Sequence, residues 1–60
     1  MLSLEEIKTR LKQRNLKAVA EYTERFGVTY QTVYNVAKGL HKRPHKTTLN
    51  ILTFYFEENP

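Results

Sequence analysis

Tyr22-Thr23-Glu24-Arg25-Phe26-Gly27-Val28-Thr29-Tyr30-Gln31-Thr32-Val33-Tyr34-Asn35-Val36 is the stretch that decides the fold of this 60-residue chain. A helix entering it from an Asn15 cap presents Leu16, Val19, Ala20, Thr23 and Phe26 on one face. Gly27 ends that helix, because the left-handed backbone of a helix terminus costs least where there is no Cβ. Thr29 then caps a further helix, and Val28 with Val33 brackets the cap as a hydrophobic staple. Val33, Val36 and Ala37 turn inward, and Gly39 stops this helix in turn. The side chains left outside are hydrogen-bonding and aromatic, with no acid among them. Glu21 and Arg25 stand i,i+4 and are placed to pair.

Towards the N-terminus, Ser3 and Glu6 form a capping box, with Leu2 and Ile7 at the staple positions. Leu4, Ile7 and Leu11 repeat at helical spacing and predict a first helix from Leu4 to Gln13, with Lys8, Arg10, Lys12 and Arg14 turned to water. Beyond Gly39, Leu40 to Lys46 reads as a basic loop kinked at Pro44. Thr48 to Phe56 admits two readings. Leu49, Leu52 and Phe56 keep a helical spacing, with Thr47 or Thr48 as cap, yet Thr, Ile, Phe and Tyr are strand formers. Helix is preferred, because a lone strand would have no partner; a hairpin exchanged between two subunits is the alternative. The expected architecture is an all-α, four-helix domain of helix-turn-helix type, filling residues 1–60 as one unit.

Sixty residues make one domain at most, with little apolar surface to bury. The absence of cysteine excludes a disulfide framework and a thiolate metal site. His41 and His45 have a spacing that suits a metal on a helix, but Pro44 lies between them and lysines surround them, so a basic loop is preferred. The apolar residues near the N-terminus are interrupted by Glu5, Glu6 and Lys8, unlike a signal peptide, and no apolar run is long enough to span a bilayer. A soluble cytoplasmic protein without a membrane partner is expected. Ten Lys+Arg against six Asp+Glu give a net charge of +4 and a pI near 9.6. From Lys38 to Lys46 there are four basic residues, two histidines and no acid, a segment that attracts polyanions by counterion release.

The pattern Tyr22-Thr23-x-x-Phe26-Gly27-Val28-x-x-x-x-Val33-x-x-Val36 resembles the helix-turn-helix of the phage Cro and C1 repressor family. The resemblance runs from about Leu4 to Gly39, and more loosely through the basic loop and last segment. The chain departs from the family's pattern in carrying Thr23 where a small alanine is usual, so that a hydroxyl needs a partner. Leu16 to Glu21 also looks like an early start of the motif, which implies a second helix about one turn longer than usual. The resemblance implies a transcription repressor that binds double-stranded DNA, with its third helix in the major groove.

On that reading Thr29, Tyr30, Gln31, Tyr34 and Asn35 occupy the base-reading positions. Gln31 and Asn35 can hydrogen-bond adenine at two points, and Tyr30 and Tyr34 can pack on thymine methyls or donate to phosphate. Asn15, Lys17, Thr32, Lys38, Lys42, Arg43 and Lys46, with His41 and His45, are the candidate phosphate contacts. The last segment is more apolar than one small helix can bury, which makes Phe54, Tyr55 and Phe56 a candidate dimer interface. A homodimer would set two recognition helices about 34 Å apart on a pseudo-palindromic site. The alternative is a monomer whose terminal aromatics fold back onto the first helix.

No enzyme is expected. The carboxylates Glu5, Glu6, Glu57 and Glu58 lie at the two ends of the chain, and there is no phosphate-cradling glycine loop. No cofactor is expected either. Two binding roles compete with specific DNA reading: a protein-interaction module using the C-terminal aromatic helix, and non-specific nucleic-acid binding through the basic loop. Single-stranded RNA binding is disfavoured, since no aromatic sheet platform is present.

Overall fold

The computed structural model describes residues 2–60, and among them the chain forms four α-helices, one 3-10 turn and no strand. Helix α1 (Leu4–Leu11) starts at the Ser3 cap. The Glu6 amide donates to Ser3 Oγ at 3.2 Å, and the Ser3 amide to Glu6 Oε1 at 3.4 Å, closing the capping box. The helix ends at Leu11, two residues before the expected Gln13. There the amides of Gln13 and Arg14 reach back three residues, to Arg10 and Leu11, and tighten the chain into a turn.

Helix α2 (Leu16–Thr23) starts at Asn15, whose side-chain oxygen accepts from the Lys17 amide at 2.9 Å. It tightens into a 3-10 turn, Glu24–Phe26, and stops at Gly27 with φ at +89°. Val28 donates to the Thr23 carbonyl and Gly27 to that of Glu24, both at 3.1 Å, so the last orphan carbonyls are paired. The tightened winding changes the register of the helix face. Three residues at three per turn overrun an α-helix by roughly 60°. Phe26, expected on the inner face, is therefore 57% exposed and packs only sideways on Tyr22, with centroids 5.4 Å apart. The expected Glu21–Arg25 pair is likewise not formed; the ion pair among the described residues is Lys8–Glu5, at 3.5 Å.

Thr23 is fully buried at the start of this turn. Its hydroxyl donates to the Val28 carbonyl at 3.0 Å, with Ala20 O a second acceptor at 3.3 Å. The hydroxyl thus links the end of α2 to the residue beyond Gly27. Helix α3 (Tyr30–Ala37) follows, with Thr29 Oγ1 accepting from the Thr32 amide at 3.3 Å. It ends at Gly39 (φ +76°), where Leu40 donates to Asn35 O and Gly39 to Val36 O.

Helix α4 (Lys46–Glu58) excludes the exchanged hairpin. It begins before Thr47 and Thr48, with His45 at the cap position and no side-chain cap, so Lys46 lies in a first helical turn and not in the loop. Thr53, a strand former by propensity, is satisfied within the helix, because its hydroxyl donates to Leu49 O at 2.8 Å.

The four helices share one core of Ile7, Leu11, Val19, Val28, Val33, Val36, Ala37, Ile51, Leu52, Tyr55 and Phe56. Tyr55 and Phe56 are 9% and 1% exposed, so they are core residues, a correction to their expected place at a dimer interface. The reason is helical phase: both lie on the side of α4 that meets α1 and α2. The guanidiniums of Arg10 and Arg14 cover the Phe56 ring at 5.9 and 5.3 Å, and Arg14 also donates to Pro60 O at 2.8 Å. The fold-back onto the first helix is the arrangement observed. Among the described residues, no helix is long and apolar enough to cross a membrane.

Candidate nucleic-acid interface

Helix α3 is held from behind. Val33, Val36 and Ala37 are at most 2% exposed, and the glycine turn fixes where the helix begins. Its other side carries two rows of side chains at i,i+4 spacing. One row is Tyr30, Tyr34 and Lys38: the tyrosine rings stack at 6.4 Å with planes 29° apart, and Lys38 Nζ lies 5.7 Å from the Tyr34 ring centre. The second row is Gln31 and Asn35, with Gln31 Nε2 donating to Asn35 Oδ1 at 3.1 Å. Eight residues of helix from Tyr30 to Lys38 measure about 12 Å, comparable with the width of a major groove.

The rows leave large rings in water. Tyr30 is 40% exposed and Tyr34 36%. A hydroxyl-bearing ring with one wet edge suits contact with another polar, partly apolar surface. Thr29 and Thr32 are more committed: the Thr29 oxygen receives the Thr32 amide, and the two hydroxyls lie 3.2 Å apart. Thr29 therefore serves the helix start first, and only the hydroxyl proton left over between the two threonines can reach a ligand.

The remaining sequence candidates flank this face unevenly. Lys17 lines a shallow depression with Tyr30, beside the start of α3, but Ala20, Glu21 and Glu24 line it too. Carboxylates at that edge oppose an incoming phosphate. Asn15 spends its oxygen on the α2 cap and keeps its amide N–H groups. Lys42, Arg43, His45 and Lys46 are exposed, and His41 is half-buried. They surround the start of α4, whose first turn has neither an acid nor a side-chain cap. Phe54, at 56% exposed, is the one member of the expected interface trio that faces outward.

Two features were missed by sequence reasoning. The first is charge segregation: no acid occurs from Arg25 to Phe56, which covers α3, the loop and most of α4. The six carboxylates fall outside it, and Glu6 and Glu57 line one depression between α1 and α4. A count along the chain could have found that run. The second is a group of cations at the end of α3. Lys12, Arg14 and Lys38 line one depression with Leu11, Leu16 and Ala37, and the Lys8 side chain reaches within 3.5 Å of where a Cβ on Gly39 would stand. Sequence spacing could not show this, since it results from α1 packing across α3. Cations there meet the negative end of the α3 dipole.

On the far side, Tyr22 packs edge-on against Tyr55 at 5.3 Å. Desolvation, and then the Glu58 carboxylate, push its phenol above the ordinary value.

No protein-family profile, no curated protein and no solved structure matches the chain. The chemistry of its own residues carries the interpretation.

Proposed function

We propose that this chain is a sequence-specific double-stranded DNA-binding transcription regulator, acting as a repressor of Cro-like type. The observation that carries the reading is the outward face of α3. Two rows of aromatic, amide and lysine side chains, free of acid, stand on a short helix anchored by buried valines. Such a helix fits the major groove, where base edges offer distinct donor and acceptor patterns. Lys38 and the segment from Lys42 to Lys46 supply phosphate contacts, which set affinity and register without choosing sequence. The uncapped, basic start of α4 favours a phosphate by the same electrostatics.

Repression needs nothing beyond occupancy of a promoter, so it is the default direction. A homodimer on a pseudo-palindromic site would use the exposed Phe54, and its working location would be the bacterial cytoplasm, at the nucleoid.

The test is selection of the purified chain against random duplexes at moderate salt, followed by fluorescence anisotropy on the enriched sequences. Enrichment of one sequence, with affinity lost in Gln31→Ala and Asn35→Ala, is expected, at roughly 1–3 kcal/mol per good base contact. Absence of any enriched sequence would sink the proposal. Equal loss of affinity with salt for all sequences would instead indicate binding through the basic loop alone.

A second reading, a protein-interaction module, draws on the exposure of Phe54, Phe26 and Leu40. It is weakened by burial of Tyr55 and Phe56, which removes most of the aromatic surface it would use. Such a module would be indifferent to Gln31→Ala and Asn35→Ala.

A further inference from the structure

Gln31 and Asn35 carry the same functional group one helical turn apart, and the hydrogen bond between them makes the two inequivalent. Gln31 Nε2 donates to Asn35 Oδ1 at 3.1 Å. A side-chain amide reads adenine along the edge that carries both its oxygen and one N–H: the oxygen accepts from N6 and the nitrogen donates to N7. Gln31 retains such an edge, because the bond to Asn35 uses one of its two N–H groups and leaves its oxygen free. Asn35 does not present one. Its oxygen points along the helix to Gln31, and its shorter, half-buried side chain cannot turn that oxygen outward without breaking the bond.

Resting on the DNA-reading function proposed above, we infer that Gln31 alone makes the two-point contact, to the adenine of an A·T pair. Asn35 is a positioning residue that holds the Gln31 amide in the orientation that accepts adenine and refuses guanine. Guanine offers two acceptors, O6 and N7, on the same groove edge. A freely turning Gln31 could meet guanine by directing its NH2 group outward. With its nitrogen held by Asn35 Oδ1, Gln31 meets guanine O6 with its own oxygen, and the two repel. Reversing the Gln31 amide alone would set its oxygen against Asn35 Oδ1. The discrimination is therefore set by a side chain that touches no base.

The experiment begins with the duplex enriched from the random pool. Each adenine of its half-site is exchanged for guanine, with the partner base changed to match. The adenine-to-guanine affinity ratio is measured at each position for the wild-type chain, Gln31→Ala, Asn35→Ala and Asn35→Asp. One position is expected to show a ratio of roughly 5- to 100-fold in the wild type. That ratio falls to near unity in Gln31→Ala and drops several-fold in Asn35→Ala. Asn35→Asp restores it, because a carboxylate accepts only and so locks Gln31 more firmly, even though its charge weakens binding to every duplex. Recovery of the ratio against a fall in total affinity is a result that general damage to the fold would not produce. A full ratio in Asn35→Ala, no recovery in Asn35→Asp, or no position sensitive to Gln31→Ala would each overturn the assignment while leaving DNA reading intact. A wild-type chain that enriches no duplex overturns the parent function, and this inference with it.

Discussion

Replacing Thr23 by valine tests the joint between α2 and α3 with nearly no change in shape. The side chain is fully buried, and its hydroxyl donates to the Val28 carbonyl at 3.0 Å. Two effects oppose one another. A methyl group in place of a hydroxyl in a dry site favours folding by up to about 1 kcal/mol on area bookkeeping. Loss of the donor leaves a carbonyl on Val28, itself 6% exposed, without the partner that Thr23 supplied, at a cost of about 1–3 kcal/mol. The second effect is the larger, so Thr23→Val is expected to lose about 1–2 kcal/mol. In a domain of this size that corresponds to a fall in Tm of roughly 4–15 °C. Circular dichroism melts and urea titrations of the wild type, Thr23→Val and Thr23→Ala measure it. Thr23→Ala forfeits the buried methyl as well and should be the least stable of the three. If Thr23→Val melts at or above the wild type, the hydroxyl does not brace the turn, and apolar burial alone explains the site.

Three further outcomes are expected. Gly27 has φ at +89° and open space around it, so Gly27→Ala should cost only the backbone strain of a left-handed residue, about 1–2 kcal/mol, and Gly27→Asn less; a urea-derived loss well beyond that would reveal a steric contact. The Tyr22 phenol is raised by desolvation and then by Glu58, so the native state holds its proton more tightly than the unfolded chain does. The stability this gives is fully present below the ordinary tyrosine value and is lost as pH rises through the raised one; Tyr22→Phe should therefore soften the alkaline decline in Tm, and an unchanged decline would count against the shift. Phe54→Ser, on an exposed face of α4, should leave the melting curve nearly unmoved while weakening self-association in sedimentation velocity on a two-half-site duplex; unaltered association would place any dimer contact elsewhere.

Local signals were legible where they are short-range and chemically redundant. The Ser3–Glu6 box, the Asn15 and Thr29 caps, and the two left-handed glycines all appear where the chain's residue types call for them. Each is a contact within a few residues, so tertiary packing has little room to overrule it. The composition of the α3 outer face was also readable, since helical spacing alone separates Tyr30, Gln31, Tyr34 and Asn35 from Val33, Val36 and Ala37. Phe26 was misread because an α-helical phase was carried through a segment that winds as 3-10. The start of α4 was misread because Thr47 and Thr48 are good caps by type, yet the helix extends one or two residues further back, to Lys46.

By itself, then, the sequence determined the helical segments around the glycine turn and the chemistry each helix displays, because capping, periodicity and backbone freedom are properties of neighbouring residues. Only the tertiary structure decided whether the ambiguous C-terminal run is helix or strand, since its propensities are balanced and burial of Leu52, Tyr55 and Phe56 against α1 and α2 tips that balance. The same packing drew Tyr55 and Phe56 beneath Arg10 and Arg14, and brought Lys8 and Lys12 of α1 to the end of α3. These are contacts between residues far apart in the chain. They depend on how helices cross, and a linear pattern carries no record of that.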